Sequence, residues 1–189
     1  VTVTPGSLIL TAGISESGAI VAQNYGAAAG RNTAISITGS RLETQGEESG
    51  GIVAGATGGS STVNVIGGAI ATTGERSVGI GAASGLTNIY DLSAGNLIAF
   101  ARIGTGLVIN NGDTTNAGAA ITTLGSWAFG VAGVSRGGAI AILNRGSIQT
   151  GGDVGTGIAA LHTYAPLFGT PNPATAPVVI DNQAAITTA

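Results

Sequence analysis

The sequence predicts an all-β fold, a right-handed parallel β-helix of about six to seven turns with three short strands in each turn. An aliphatic residue followed two positions later by threonine recurs six times, and β-branched runs flank every copy. The copies lie mostly 27 to 38 residues apart, with no helical pattern between them, which is typical of a solenoid. The aliphatic residues are Ile9, Leu42, Ile70, Ile121, Ile148 and Ile186.

The first strand of each unit is predicted from the run that precedes the motif. These runs consist largely of valine, isoleucine and threonine, which favour extended structure. They read "VTV" from Val1, "AISI" from Ala34, "TVNV" from Thr62, "LVIN" from Leu107, "IAIL" from Ile140 and "VVI" from Val178.

The second strand carries the motif itself, as in "GGAIATTG" from Gly67. Residues two apart on a strand share a face, so Ile70 and Thr72 both point inward and stack on Leu42 and Thr44 of the preceding unit. We expect the threonine hydroxyls to bond along the stack or to the main chain of the corner. In the first five units a glycine follows the threonine by two and marks that corner.

The third strand follows the corner and again holds small and β-branched residues. Ile80 is expected to stack inward between Ile52 and the next unit, as Ile158 does further along the chain. The runs read "GAIVA" from Gly18, "GGIVA" from Gly50, "VGIGA" from Val78, "FGVA" from Phe129 and "TGIAA" from Thr156.

Two stretches interrupt the repeat, and we place loop insertions near 86–104 and 161–177. The spacing of 51 residues between Ile70 and Ile121 also suggests a degenerate extra unit from Thr87 onward. Residues 1–189 otherwise form a single solenoid segment. Neither end shows a capping element, so we expect a segment cut from a longer solenoid or a protomer that stacks end to end.

Composition excludes several classes of protein. Six arginines, no lysine and a net charge of −3 provide no basic face for nucleic acid. The absence of cysteine excludes disulfides, thiolate zinc sites and a cysteine nucleophile. The sequence contains no uninterrupted run of about 18 apolar residues, so no transmembrane helix is predicted. The chain starts at Val1, so we expect a processed or excised product, and we predict no cofactor.

The repeat resembles the passenger region of bacterial autotransporters, the type V secreted surface proteins. The resemblance rests on Ile-x-Thr, glycine, polar residues and Gly-Ile-x-Ala, followed by linkers such as "GATGGSS", and it covers essentially the whole chain. It implies a β-helix stalk, a secreted or cell-surface location, and adhesion to host cells or neighbouring bacteria. Any membrane attachment would be through the family's β-barrel, which we do not expect within this chain.

Three carboxylates, Glu47, Glu75 and Asp153, are predicted to share one column just after the corner glycine, with the first two on adjacent turns. Like charges at this spacing repel, and two interpretations remain. The first is a weak calcium site or an acid pair, and the second is a solvated corner whose charge Arg76 offsets. We favour the solvated corner, because exposed carboxylates are usual at such positions. We therefore predict no metal site, and we predict no catalytic residue. Asp153, Arg145 and His162 belong to one unit, but strands separate them.

Departures from the repeat provide the candidate binding residues, because loops projecting from a rigid stack commonly carry function. Trp127 is the single tryptophan and falls in the corner column, where other units have Glu48, Arg76 or Val154. An outward indole there favours a carbohydrate ring or a partner surface, and the alternative is packing under a long loop. The remaining candidates are Phe129, His162, Tyr164, Phe168 and Tyr90; His162 is also readable as an ordinary loop histidine.

Three functions are compatible with these features. The first is a non-enzymatic adhesin or structural passenger segment that binds a host or bacterial surface protein or glycan, or a copy of itself. The second is a subunit of an extracellular fibre that stacks through uncapped end turns. The third, favoured only by the fold, is a polysaccharide lyase or glycoside hydrolase.

Overall fold

The computed structural model describes residues 1–15, 18–25, 30–85, 105–162 and 176–188. In these ranges the chain forms 17 strands that assemble into three parallel sheets, each receiving one strand from every turn. This is the predicted right-handed parallel β-helix, and its described part has six turns, the sixth represented by two strands.

Sheet A collects the first strand of each turn. Its strands are β1 (Thr2–Val3), β4 (Thr33–Thr38), β7 (Ser60–Ile66), β10 (Gly106–Asn111), β13 (Ala139–Asn144) and β16 (Val178–Asn182). Sheet B collects the second strand of each turn. Its strands are β2 (Leu8–Ser15), β5 (Arg41–Glu47), β8 (Ala69–Thr72), β11 (Ala120–Thr123), β14 (Ile148–Thr150) and β17 (Ile186–Thr188).

Sheet C collects the third strand of each turn and closes the triangular coil. Its strands are β3 (Gly18–Asn24), β6 (Gly50–Ala56), β9 (Val78–Ser84), β12 (Phe129–Ser135) and β15 (Thr156–His162). The register within all three sheets stacks equivalent residues of successive turns directly on one another. The predicted aliphatic columns are confirmed, because Leu42 pairs with Ile70 and Ile52 pairs with Ile80.

The predicted extra unit between Ile70 and Ile121 is wrong. β8 pairs directly with β11, and Ile70 is the register partner of Ile121, so no turn lies between them. The additional residues fall between β9 and β10, at a corner of the coil. Residues 86–104 themselves lie outside the described part of the chain.

In strands β6, β9, β12 and β15 of sheet C, a glycine near the start of the strand gives space to the isoleucine of the following turn. A Cβ added at Gly79 would lie 2.4 Å from Cγ2 of Ile121 and 2.6 Å from the carbonyl oxygen of Gly130. The same contact, with a γ carbon of the next turn 2.3–2.4 Å away, recurs at Gly51, Gly130 and Gly157. These glycines therefore serve core packing, whereas the sequence suggested only a role at corners.

The inward threonines form a buried column at the corner between sheets B and C. Thr44 and Thr72 are register partners and are at most 1% exposed, as predicted. Their expected hydrogen bonds are not formed, because stacked turns lie about 4.8 Å apart and a hydroxyl pair needs about 2.5–3.0 Å. The hydroxyls without a partner are those of Thr11, Thr44, Thr72, Thr123 and Thr150.

The outward face of sheet C is also apolar. Val53, Ala132 and Val134 lie on that face, are at most 1% exposed, and form a second hydrophobic cluster with Val78 and Ala83. Strands β6 and β9 are buried along their whole length. Within the described ranges no helix is long and apolar enough to cross a membrane.

Candidate functional site

In turns two to five, the corner between sheets B and C carries one residue in a left-handed backbone conformation, half-buried at Glu48 and exposed in the other three turns. The φ angles of Glu48, Arg76, Trp127 and Val154 lie between 52° and 62°. Backbone hydrogen bonds stack these residues turn on turn: the N–H of Arg76 donates to Ser126 at 2.8 Å, and that of Trp127 donates to Asp153 at 2.9 Å. We call these four residues the corner column.

The left-handed conformation makes the identity of these residues informative. Glycine adopts it without cost, whereas a bulky or β-branched side chain such as Trp127 or Val154 is strained there. The backbone of the corner imposes this conformation in four consecutive turns, yet the sequence uses none of the residues that would relieve it. Retained strain of this kind is a reason to look for a surface role.

The column changes character along the solenoid, from charged side chains in turns two and three to apolar side chains in turns four and five. Trp127 is 57% exposed and Val154 is 59% exposed, and Leu124 of the same corner is 52% exposed. We call Leu124, Trp127 and Val154 the corner patch. The long loops under which Trp127 would alternatively pack, residues 86–104 and 163–175, lie outside the described residues.

A column of carboxylates runs beside the corner column. Glu47, Glu75 and Asp153 each precede a corner-column residue by one position, are exposed, and share one column with Ser126, as predicted. Arg76 bonds Glu48 across one turn, with its guanidinium Nη1 3.2 Å from the Glu48 carboxylate. Among the described residues no three carboxylate or histidine side chains come together as a metal site would require.

Phe129 starts β12, directly after the corner. Its side chain is half-buried and packs against the second hydrophobic cluster, so it supports the outer face of sheet C. Tyr90, Tyr164 and Phe168, the other aromatic candidates, lie outside the described residues.

His162 ends β15, facing the corner between sheets C and A. It is half-buried, its register partner in the preceding turn is the fully buried Ser135, and its Nε2 atom has no hydrogen-bond partner. His162, Arg145 and Asp153 lie at three different corners of the same turn, since Arg145 follows β13 and Asp153 follows β14. These three residues therefore do not form one site.

Asp113 holds together a short loop at the corner between sheets A and B. Its Oδ1 atom accepts the backbone N–H groups of Thr115 and Asn116 at 2.8 Å each, together with both side chains. The Asn116 side-chain amide, followed by these backbone N–H groups, holds the pKa of Asp113 well below its ordinary value of 3.8. Because local bonds account for this shift, the loop is a structural turn.

An asparagine ladder runs through the last three turns of sheet A. The side-chain amide of Asn111 donates to Asn144, and that of Asn144 donates to Asn182, each at 2.8 Å. Each amide also bonds a carbonyl of the following corner, for example that of Gly146 at 2.8 Å. Sequence reasoning missed this ladder, although an asparagine ends the first-strand region of each of these units.

The candidate site is thus an exposed aromatic and aliphatic patch on a rigid corner, bordered by hydrogen-bond acceptors. It provides a contact surface without a nucleophile or a proton-transfer pair among the described residues that compose it. Comparison of the chain with models of protein families, with curated proteins and with solved structures finds no match in any of the three.

Proposed function

We propose that the chain is a non-enzymatic segment of a secreted or cell-surface adhesin, similar to the passenger region of an autotransporter. The solenoid serves as a stalk, and the corner patch contacts a molecule on a host or bacterial surface. The observation that carries this proposal is Trp127, 57% exposed at a strained corner position that glycine would occupy without cost.

The backbone around the patch supports this role. The turns on both sides of Trp127 are hydrogen-bonded to it through the corner main chain and through sheets B and C. A side chain held on such a stack loses little conformational entropy on binding, which favours recognition by a preorganised surface. Exposed tryptophan is also the residue type most enriched among residues that dominate binding energy.

The experiment compares binding of the labelled chain to epithelial and bacterial cells for the native sequence, Trp127→Gly and Glu48→Gly. Both substitutions replace a left-handed residue by the one that tolerates this conformation, so both variants are expected to fold. We expect Trp127→Gly to lose at least about tenfold in affinity, corresponding to a contact of about 1.4 kcal/mol or more. Glu48→Gly, two turns away, should bind like the native chain, and equal loss in both variants would contradict the proposal.

Light scattering across a concentration series distinguishes the corner proposal from assembly of copies of the chain. A mass that is constant with concentration agrees with the corner proposal, whereas a mass that grows with concentration supports assembly instead.

A further inference from the structure

We propose that the corner patch binds an uncharged sugar ring, stacked on the indole of Trp127, as part of a neutral surface glycan. This inference rests on the proposed function and specifies the chemistry of its ligand. Three features of the corner carry it: an accessible aromatic face, hydrogen-bond acceptors on both sides of it, and the small area of the apolar surface.

The indole provides the stacking surface. Trp127 is 57% exposed, and Leu124 and Val154, each more than half exposed, extend the apolar surface beside it. Aromatic rings carry negative charge on their faces, so they attract the weakly positive C–H groups that line one face of a pyranose ring. A flat ring with one apolar face is therefore a complementary ligand for this side chain.

The carboxylates beside the patch determine which polar groups a ligand stacked on the indole must present. Glu75 lies one turn before Ser126 in the column and Asp153 lies one turn after it, so each is offset from the tryptophan corner by about 4.8 Å along the axis. Ionised carboxylates accept hydrogen bonds and donate none. The ligand must accordingly present hydroxyl donors around its edge, as a sugar ring does.

The negative charge of the corner makes acidic glycans unfavourable ligands for the corner patch. Arg76 is the corner-column cation nearest to Trp127 along the chain, and its guanidinium already bonds the Glu48 carboxylate at 3.2 Å. A sulfate or a sialic acid carboxylate beside Glu75 and Asp153 would meet like charges, which is unfavourable. The favoured ligand is therefore neutral.

The size of the patch favours a sugar over a protein surface. A standard protein interface buries about 800 Å² on each partner, whereas a large aromatic side chain contributes about 150–250 Å². Three side chains on a convex corner supply less than a standard protein interface, and the two preceding residues of the corner column, Glu48 and Arg76, are charged. One or two sugar rings match the dimensions available.

The experiment has a cellular arm and a spectroscopic arm. Cells that bind the chain through Trp127 are treated with periodate, which cleaves the vicinal diols of sugars, with sialidase, or with protease. We expect periodate to abolish Trp127-dependent binding, sialidase to leave it unchanged, and protease to remove only binding by glycans attached to proteins. Lactose and maltose at high millimolar concentration, used as neutral probes, should compete, and heparin should not.

The spectroscopic arm uses the single tryptophan of the chain as an intrinsic probe. Glycans released from the same cells and separated into neutral and acidic fractions are titrated against the native chain, Asp153→Asn and Glu75→Gln. The neutral fraction should produce a saturable change in Trp127 emission, and either substitution should weaken the affinity about tenfold, as expected for loss of a charged hydrogen bond.

The outcomes separate the two proposals. Trp127-dependent cell binding that survives periodate, or a response restricted to the acidic fraction, overturns the sugar proposal and leaves the adhesin proposal intact. Cell binding that is independent of Trp127 overturns the adhesin proposal as well, since the corner would then not be the contact surface.

Discussion

Replacing Thr72 by valine should stabilise the protein. The Thr72 side chain is 0% exposed and its hydroxyl has no hydrogen-bond partner. Its register partners are Thr44 and Thr123, one turn away on either side, at about 4.8 Å. Because this spacing exceeds the reach of a hydroxyl pair, the hydroxyl is desolvated without compensation.

The magnitude follows from the cost of burying that hydroxyl. Mutational data place an unpaired buried hydroxyl at about 1–3 kcal/mol, and valine replaces it by a methyl group of nearly the same volume. We therefore expect Thr72→Val to raise the free energy of unfolding by about 1 kcal/mol. In a chain of this length such a change corresponds to an increase in Tm of about 2–4 °C.

The assay is urea denaturation followed by circular dichroism, with thermal unfolding as a second measurement. Thr122→Val is the matched control, because Thr122 lies on the outward face of the adjacent turn and is only half-buried. A change within about 0.5 kcal/mol is expected for this control. If Thr72→Val lowers stability by 1 kcal/mol or more while the control does not, the hydroxyl has a partner and the reasoning fails.

Three further predictions concern the core and one loop. Asn144→Leu should cost about 2–4 kcal/mol in urea denaturation because it interrupts the asparagine ladder, leaving polar groups of Asn111 and the following corner unpaired. Gly130→Ala should cost about 1–3 kcal/mol, since the new Cβ would lie 2.4 Å from Cγ2 of Ile148. A carboxylate NMR titration of Asp113 should give a midpoint well below 3.8. The contribution of Asp113 to stability should be complete above about pH 5 and be lost as the pH falls below the unfolded-state value.

Each of these predictions has an outcome that contradicts it. Native stability of Asn144→Leu would mean that the ladder is satisfied in another way. An unchanged Tm for Gly130→Ala would show that the isoleucine of the next turn moves aside at no cost. A titration midpoint near 3.8 would show that the loop does not hold the Asp113 carboxylate in solution.

Much of the fold was predictable because a solenoid repeats its constraints in every turn. The spacing of Leu42, Ile70 and Ile121 identified the inward columns and the parallel stacking without any tertiary information. The same alignment of the repeats also predicted the corner positions, including that of Trp127. A one-dimensional repeat converts sequence alignment directly into contacts between neighbouring turns.

Other features depend on contacts that the repeat does not encode. The long spacing before Ile121 is compatible with an extra turn or an insertion, and only the pairing of β8 with β11 distinguishes them. The role of Gly79 depends on an isoleucine of the next turn, and the strain at Trp127 depends on a backbone angle. The ligand of the corner patch is even harder to predict from the sequence, because surface side chains are not repeated from turn to turn.

Site-specific photocrosslinking shows directly whether the corner patch contacts a cell. A benzophenone amino acid is introduced at Trp127, at the outward Val108 of sheet A, or at Ile180 of the last described turn, and each labelled chain is irradiated on cells. We expect crosslinks to a surface molecule from position 127 and none above background from position 108. Crosslinks confined to position 180, or equal yields from all three positions, would contradict this expectation.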